Sequence, residues 1–327
     1  MSVFDGFKPY SESRKINSVV CFNGRIIPLA DYLAERFTYR TRDEWLNEIS
    51  AGNFLLDDVR ITENVPIQNN QHITYEFTAK DEPECDLNYT LLGINDDFIC
   101  VSKSGNLPTH PAGRYYKNTL WYLMQKDFGP CAPINRLDRE TSGIILFGRN
   151  PEAVRFFSRC NMQKKYHVIV HGEFPKQLDA NGFIMKDKSS SIRKKRRFSY
   201  TDDTNSDTET CHTLFKRLDF KNGLSLVEAE LKTGRTHQIR ATCSSLGYPV
   251  AGDKMYGPDE NIFLRFIDGE MTEEDISACL KATDWCRANY QYFRGGGFSS
   301  HFKTQAEMPV TMLRLNIVEG VGPCLQI

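Results

Sequence analysis

Apolar positions in the first quarter of the chain follow a helical period and then a strand period. In PLADYLAERF, Leu29, Leu33 and Phe37 recur at helical spacing. The next stretch, TRDEWLNEISAG, opens on Thr41 and Glu44 as a capping box and closes at Gly52. Two short helices are therefore expected in succession. From Asn53 the pattern changes to short runs broken by turn residues, NFLLDDVRITENVPIQNNQHITYEF, which predicts strands joined by tight turns. Residues 1–17 are polar and read as an arm, 18–78 as a compact small module near the lower size limit for independent folding, and the polar, proline-containing stretch 79–88 as a linker.

Beyond the linker the runs FICVSK, GIILFGR, YHVIVHG and LSLVEAELK are strand-like, several without alternation, as for strands covered on both faces. Helices lie between them. NPEAVRFFSRCNMQ has Asn150 at the N-cap, Pro151 at the first helical position, and Ala153, Phe156, Phe157 and Cys160 on one face. RTHQIRATCSSLG aligns Ile239, Cys243 and Leu246 and stops at Gly247, and a third helix is expected over roughly residues 274–290. Residues 89–327 thus read as one α+β domain built on a sheet. Within it, 186–210 is polar, with five consecutive basic residues from Arg193 to Arg197, and reads as a long mobile surface loop.

Composition narrows the classes. Lys and Arg total 41 against 42 Asp and Glu, so no global field draws polyanions or anionic membranes, and any nucleic-acid site must be a local patch. The ten cysteines are scattered without Cys-x-x-Cys spacing, which fits reduced thiols in the cytosol or nucleus. The N-terminus lacks the pattern of a secretory or transit peptide, and no apolar run approaches a membrane span.

Three positions could carry chemistry: Asp138 in NRLDRETSG, Tyr166 in KKYHVIVHG, and Arg235 in LKTGRTHQIR. Each has an ordinary alternative: a turn or cap for Asp138, strand packing for Tyr166, a solvated loop charge for Arg235. Together they are more specific. Arg136 and Arg139 flank Asp138, and a neighbouring arginine favours the ionised carboxylate. Such a carboxylate suits attack at, or stabilisation of, a sugar carbon with oxocarbenium character. A glycosidase would want a second carboxylate, and none is evident; Glu140 reads as facing solvent. His167 and His171 alternate away from Tyr166, and His110 and His237 read as structural. The basic run at Arg193 and Lys194 reads equally as a grip on RNA phosphates or as a solvated run.

NRLDRETSG, KKYHVIVHGEFP and, above all, LKTGRTHQIRATCSSLGYPVAGDKMYG resemble the RluA-type RNA pseudouridine synthases, with VSKSGNLPTHPAGRYYKNTL similar to their first catalytic-domain block. The resemblance implies a catalytic domain with a mixed, largely antiparallel sheet flanked by helices, preceded by a small helix-helix-strand RNA-binding module. It implies that uridine in structured RNA, tRNA above rRNA, is flipped out and isomerised to pseudouridine. Asp138 would be the nucleophile or an acid-base group at the sugar, Tyr166 would stack on the base, and Arg235 would pair with Asp138. RNA contacts are implied at Arg136, Thr141, Lys165, Thr236, Gln238 and Arg240. No cofactor or metal is expected, the partner is RNA, and the default state is a monomer. Asn135 stands where many members have His before Arg-Leu-Asp, and resembles the eukaryotic tRNA-modifying branch; Cys243 stands where His usually follows. A catalytically inactive RNA-binding protein on the same fold is the alternative, and a nucleoside hydrolase a third reading.

Overall fold

The computed structural model describes residues 13–21, 26–78, 82–160, 162–202, 207–268, 270–275 and 311–316. The chain divides into two compact units, one containing residues 6–85 and 110–130, the other 86–109 and 131–327.

In the first unit, strand β1 (Ser13–Val19) pairs antiparallel with β6 (His72–Thr78), which continues to β3 (Phe54–Leu56) and β4 (Val59–Ile61). A second ladder joins β2 (Ile27–Pro28) to β5 (Pro66–Ile67). Helices α1 (Leu29–Arg36) and α2 (Arg42–Ser50) lie between, and α2 carries the expected capping box, each of Thr41 and Glu44 bonding the other's backbone. The core is aromatic: Trp45, 1 % exposed, meets Phe37, Tyr39, Phe54 and Tyr75 edge-on, and Phe54 stacks on Tyr75. Two expectations change here. The polar arm is already strand from Ser13, because β6 offers it an edge. Residues 110–130, which the sequence placed in the catalytic domain, belong to this unit: Glu82 accepts the backbone N–H groups of Tyr116, Lys117 and Asn118, setting the approach to α3 (Leu120–Phe128), whose N-cap is Thr119.

The second unit is α+β. Its ten-stranded sheet comprises β7 (Tyr89–Ile94), β8 (Phe98–Lys103), β9 (Ala132–Pro133), β10 (Thr141–Gly148), β11 (Gln163–His171), β12 (Gln177–Lys186), β13 (Arg196–Ser199), β14 (Glu209–Lys221), β15 (Leu224–Leu231) and β16 (Thr311–Asn316). The order is β13-β12-β14-β15-β11-β16-β10-β8-β7, with β9 on β10, and every pairing is antiparallel except β10 with β16. Strands β8 and β10 are buried along nearly their whole length, as their unbroken apolar runs require. Helix α4 (Pro151–Arg159), capped by Asn150, packs Ala153 and Phe157 on Phe98 and Leu146. Helix α5 (Gln238–Ser245) packs Ile239 and Cys243 into a second core with Val168, Phe215 and Val227. Helix α6 (Asn261–Asp268) follows. The helix expected over 274–290 lies almost wholly outside the described residues.

The segment 186–210 is built rather than loose over its described residues. Ile192 and Phe198 are buried, β13 pairs with β12, and Lys195 and Ser190 both bond Glu260. The five basic residues are thereby dispersed instead of forming one solvated run. Among the described residues, no helix is long and apolar enough to cross a membrane.

Candidate active site

Asp138 sits on the connection from β9 to β10, and both of its neighbours are pinned. Thr109 Oγ1 donates to the Leu137 carbonyl at 2.8 Å and accepts the Leu137 N–H at 3.2 Å. On the other side, the Arg139 carbonyl accepts from Leu107 N–H and from Lys103 Nζ, both at 3.1 Å. Asn135 fastens the start of the connection, its amide donating to the Ile144 carbonyl at 3.1 Å and accepting the Leu146 N–H at 2.9 Å, as a neighbouring strand would. Asn135, only 8 % exposed, is thus a structural clasp.

Lys103 is the unusual member of this seat. It is 1 % exposed, and its ammonium also donates to the carbonyls of Ser104 and Leu107 at 2.7 Å each. Lys103→Met should leave those acceptors without their donor and cost on the order of 3 kcal/mol. Urea denaturation would read this as a lower midpoint at unchanged slope, and an unshifted midpoint would show that water replaces the ammonium.

The carboxylate of Asp138 keeps 38 % of its surface accessible and receives Arg240 Nη1 at 2.7 Å. Arg240 rises from α5 and is held from behind: Nε donates to Asp253 Oδ2 at 2.6 Å and Nη2 to Asp253 Oδ1 at 2.9 Å, while the guanidinium lies 4.9 Å from the Tyr256 ring centroid. Burial pushes the Asp138 pKa up, but the Arg240 charge and the hydrogen bond from Arg240 outweigh it, so the group stays below the ordinary aspartate value. Tyr166, on β11, is pushed above the usual phenol value by burial and then by the charge of Asp138, which keeps it neutral beside that carboxylate. Burial, then Arg240, lowers His237 to about 4. Its Nδ1 lies 2.7 Å from the Tyr256 hydroxyl, which also accepts the Arg196 N–H. A neutral imidazole whose Nδ1 accepts a hydrogen bond from the Tyr256 O–H satisfies this network.

Around this pair stand more cations. Arg139 and Lys254 both bond Glu140, at 2.5 and 3.2 Å, and both lie over the Phe266 ring; Lys194 lies over Phe263. Glu140 is therefore ion-paired, not solvent-facing as its sequence position suggested. Burial raises its pKa, and the charges of Arg139 and Lys254 more than reverse this. Lys194 is lowered by burial and by the charges of Arg139 and Arg240, with Asp138 opposing, which places it in the same cluster.

The expected set is thus brought together only in part. Asp138, Tyr166, Arg240 and Lys194 share one site. Arg235 does not pair with Asp138. Its Nε donates to the Thr210 carbonyl and its Nη1 lies 3.3 Å from Glu209, because the chain between Thr233 and α5 turns it towards β14. Gln238 is buried and fully used as a clasp between Thr233, the Arg235 backbone, the His212 carbonyl and Thr213, which leaves nothing to offer RNA. Lys165 is drawn across to Glu228 and Glu230 on β15, and Thr141 is buried at the head of β10. Arg136, Thr236 and Arg193 are all exposed surface residues. Asp253, His237 and Tyr256 were not picked out as site members; the available signal was the AGDKMYG stretch closing the longest motif. Among the described residues, no three His, Cys, Asp or Glu side chains gather as metal ligands would.

Comparison with known proteins finds two separate likenesses along the chain. Residues 97–245, just under half of the chain, match the family described as RNA pseudouridylate synthase, so this part of the chain is similar to that family. RNA pseudouridine synthase 7 of Arabidopsis thaliana is 30 % identical over 237 residues, 70 % of this chain and 60 % of that protein. The tRNA pseudouridine(32) synthase, mitochondrial, of Saccharomyces cerevisiae is 27 % identical over 251 residues, 71 % and 51 % respectively. The chain therefore spans about 60 % of the plant relative and less of the yeast one. Residues 264–327 have another likeness, to the family described as L-fucose isomerase, C-terminal domain. The L-fucose isomerase of Clostridium perfringens is 56 % identical over 97 residues, 29 % of this chain and 16 % of that enzyme. That second likeness was not apparent when residues 89–327 were read as one domain.

Proposed function

We propose that the chain isomerises uridine to pseudouridine within RNA, with Asp138 as the reacting carboxylate. The carrying observation is the state of that group: ionised against Arg240, open over 38 % of its surface, and beside the neutral ring of Tyr166. In the reaction the bond from uracil N1 to C1′ breaks, the base turns, and C5 bonds to C1′ while N1 regains the proton that C5 loses. Asp138 acts at the sugar, as nucleophile or as the group that moves a sugar proton. Tyr166 supplies an aromatic face for a base taken out of its stack. Lys194, Arg139 and Lys254 suit the phosphates on either side.

The substrate proposed is tRNA, with rRNA second. The name of the yeast relative supports this order. The fastening role of Asn135 removes that residue as an argument for it, since the side chain is spent on β10. The N-terminal unit is proposed to hold RNA, and the protein to act as a monomer in the cytosol or nucleus without a cofactor. The C-terminal likeness covers 16 % of an L-fucose isomerase and is not taken to carry sugar isomerisation.

The test is to incubate the protein with cellular RNA from a strain lacking its own activity and to quantify pseudouridine by nucleoside mass spectrometry. New pseudouridine is expected. RNA bound but unmodified would favour a binding protein on this fold, and release of free uracil a hydrolase.

A further inference from the structure

Arg240 has two carboxylates, and only one of them faces the site. Asp253 is 4 % exposed and takes the guanidinium in a two-point fork through Nε and Nη2, leaving Nη1 as the nitrogen directed at Asp138. The fork is itself anchored: Asp253 Oδ1 accepts the N–H groups of Met255 and Tyr256, both at 3.0 Å. The same turn places the Tyr256 ring under the guanidinium and its hydroxyl against His237, at the head of α5. A planar guanidinium bound at two points has no rotational freedom left. The third nitrogen is then aimed by the loop after α5 rather than by Asp138.

We propose that Asp253 is a positioning residue, whose fork on Arg240 fixes where the guanidinium meets Asp138 and so where the reacting carboxylate stands. This rests on Asp138 being the reacting group. It goes beyond that reading by assigning the placement to a residue that does not touch substrate.

Electrostatics separate placement from a purely structural role by sign. The charged and titratable groups facing Asp138 are Arg240 and His237 from α5 and its N-cap, Asp253 and Tyr256 from the following loop, Tyr166 from β11, and Lys194 from the turn before β13. Among them, Asp253 repels the Asp138 charge and Arg240 attracts it. Suppose Asp253→Asn left Arg240 where it is. Repulsion would be lost and the Asp138 carboxyl would titrate at lower pH. If the fork is what holds Arg240, the variant lets the guanidinium drift, attraction weakens, and Asp138 titrates at higher pH.

The experiment compares wild type with Asp253→Asn by carbon-13 NMR titration of the Asp138 carboxyl and by steady-state kinetics on RNA. The expected result is a rise in the Asp138 titration midpoint and a fall in kcat on the order of 10²-fold, with KM nearly unchanged. A midpoint that falls or stays put overturns the proposal, whatever the rate does. Should Asp253→Asn fail to fold, Asp253→Glu keeps the charge and displaces the fork. It should show the same rise and the same loss of kcat, and wild-type values in both would overturn the proposal. The titration needs no turnover, so a wild-type protein that made no pseudouridine would sink the proposed function and still leave the role of Asp253 readable.

Discussion

Asp138→Asn is expected to reduce pseudouridine formation to background, a loss of roughly 10⁴-fold or more, while the protein folds and still binds RNA. The amide is nearly the shape of the carboxylate and can accept the Arg240 N–H through its oxygen, so the seat made by Thr109, Lys103 and Asn135 is undisturbed. On the proposed reading, what is lost is the negative charge that reacts at, or stabilises charge on, the sugar carbon. Nucleoside mass spectrometry reads the product, and filter binding reads the complex. Equal pseudouridine from both proteins would remove Asp138 from the reaction. Loss of binding together with activity would make it a recognition group instead.

Arg240→Met should be the most destabilising single change in the site, by about 3–5 kcal/mol at neutral pH, because it strands two carboxylates that share one buried cation. In the wild type, burial pushes Asp253 and Asp138 up, but Arg240 more than reverses this, so both titrate below the ordinary aspartate value. A group depressed in the folded state contributes stability above its unfolded pKa, about 3.9, and loses it as pH falls through the folded value. Without Arg240, burial dominates and the same groups are raised. Their effect then reverses, with stability kept below the unfolded pKa and lost as pH rises. The gap between the two proteins should therefore be widest near pH 7 and close towards pH 4. Urea midpoints at the two pH values test this, and a gap independent of pH would mean that the lost stability is packing against Tyr256.

Local signals were legible from residues alone, because the atoms involved are neighbours in sequence. The capping box at Thr41 and Glu44, and the Asn150–Pro151 start of α4, form as the pattern requires. The runs FICVSK and GIILFGR became strands covered on both faces. Contacts across long separations were legible only in part. Asp138 and Arg240 are 102 residues apart, and choosing Arg240 over Arg235 depends on the turn into α5, where His237 adopts a left-handed backbone with φ 56°. A left-handed histidine has no sequence signature. Likewise, five adjacent basic residues read equally as a phosphate grip or a solvated run, and Glu260, which draws in Lys195, lies 65 positions away. The membership of residues 110–130 in the N-terminal unit turns on Glu82 and three backbone N–H groups, which composition does not encode.

The phenyl rings of α6 have a consequence for how binding responds to salt. RNA affinity falls with ionic strength because each cation that meets a phosphate displaces a condensed counterion, with a slope of about 0.7 per contact for single strands. That accounting supposes cations that stand free in water beforehand. Here Arg139 and Lys254 already share Glu140 and rest on Phe266, and Lys194 rests on Phe263. A phosphate that engages Arg139 or Lys254 competes with Glu140 inside the protein as well as with ions on the RNA. For the RNA contact proposed above, the expected salt dependence is therefore shallower than a census of basic side chains around Asp138 would give, and discrimination among RNAs would fall more to fit than to charge.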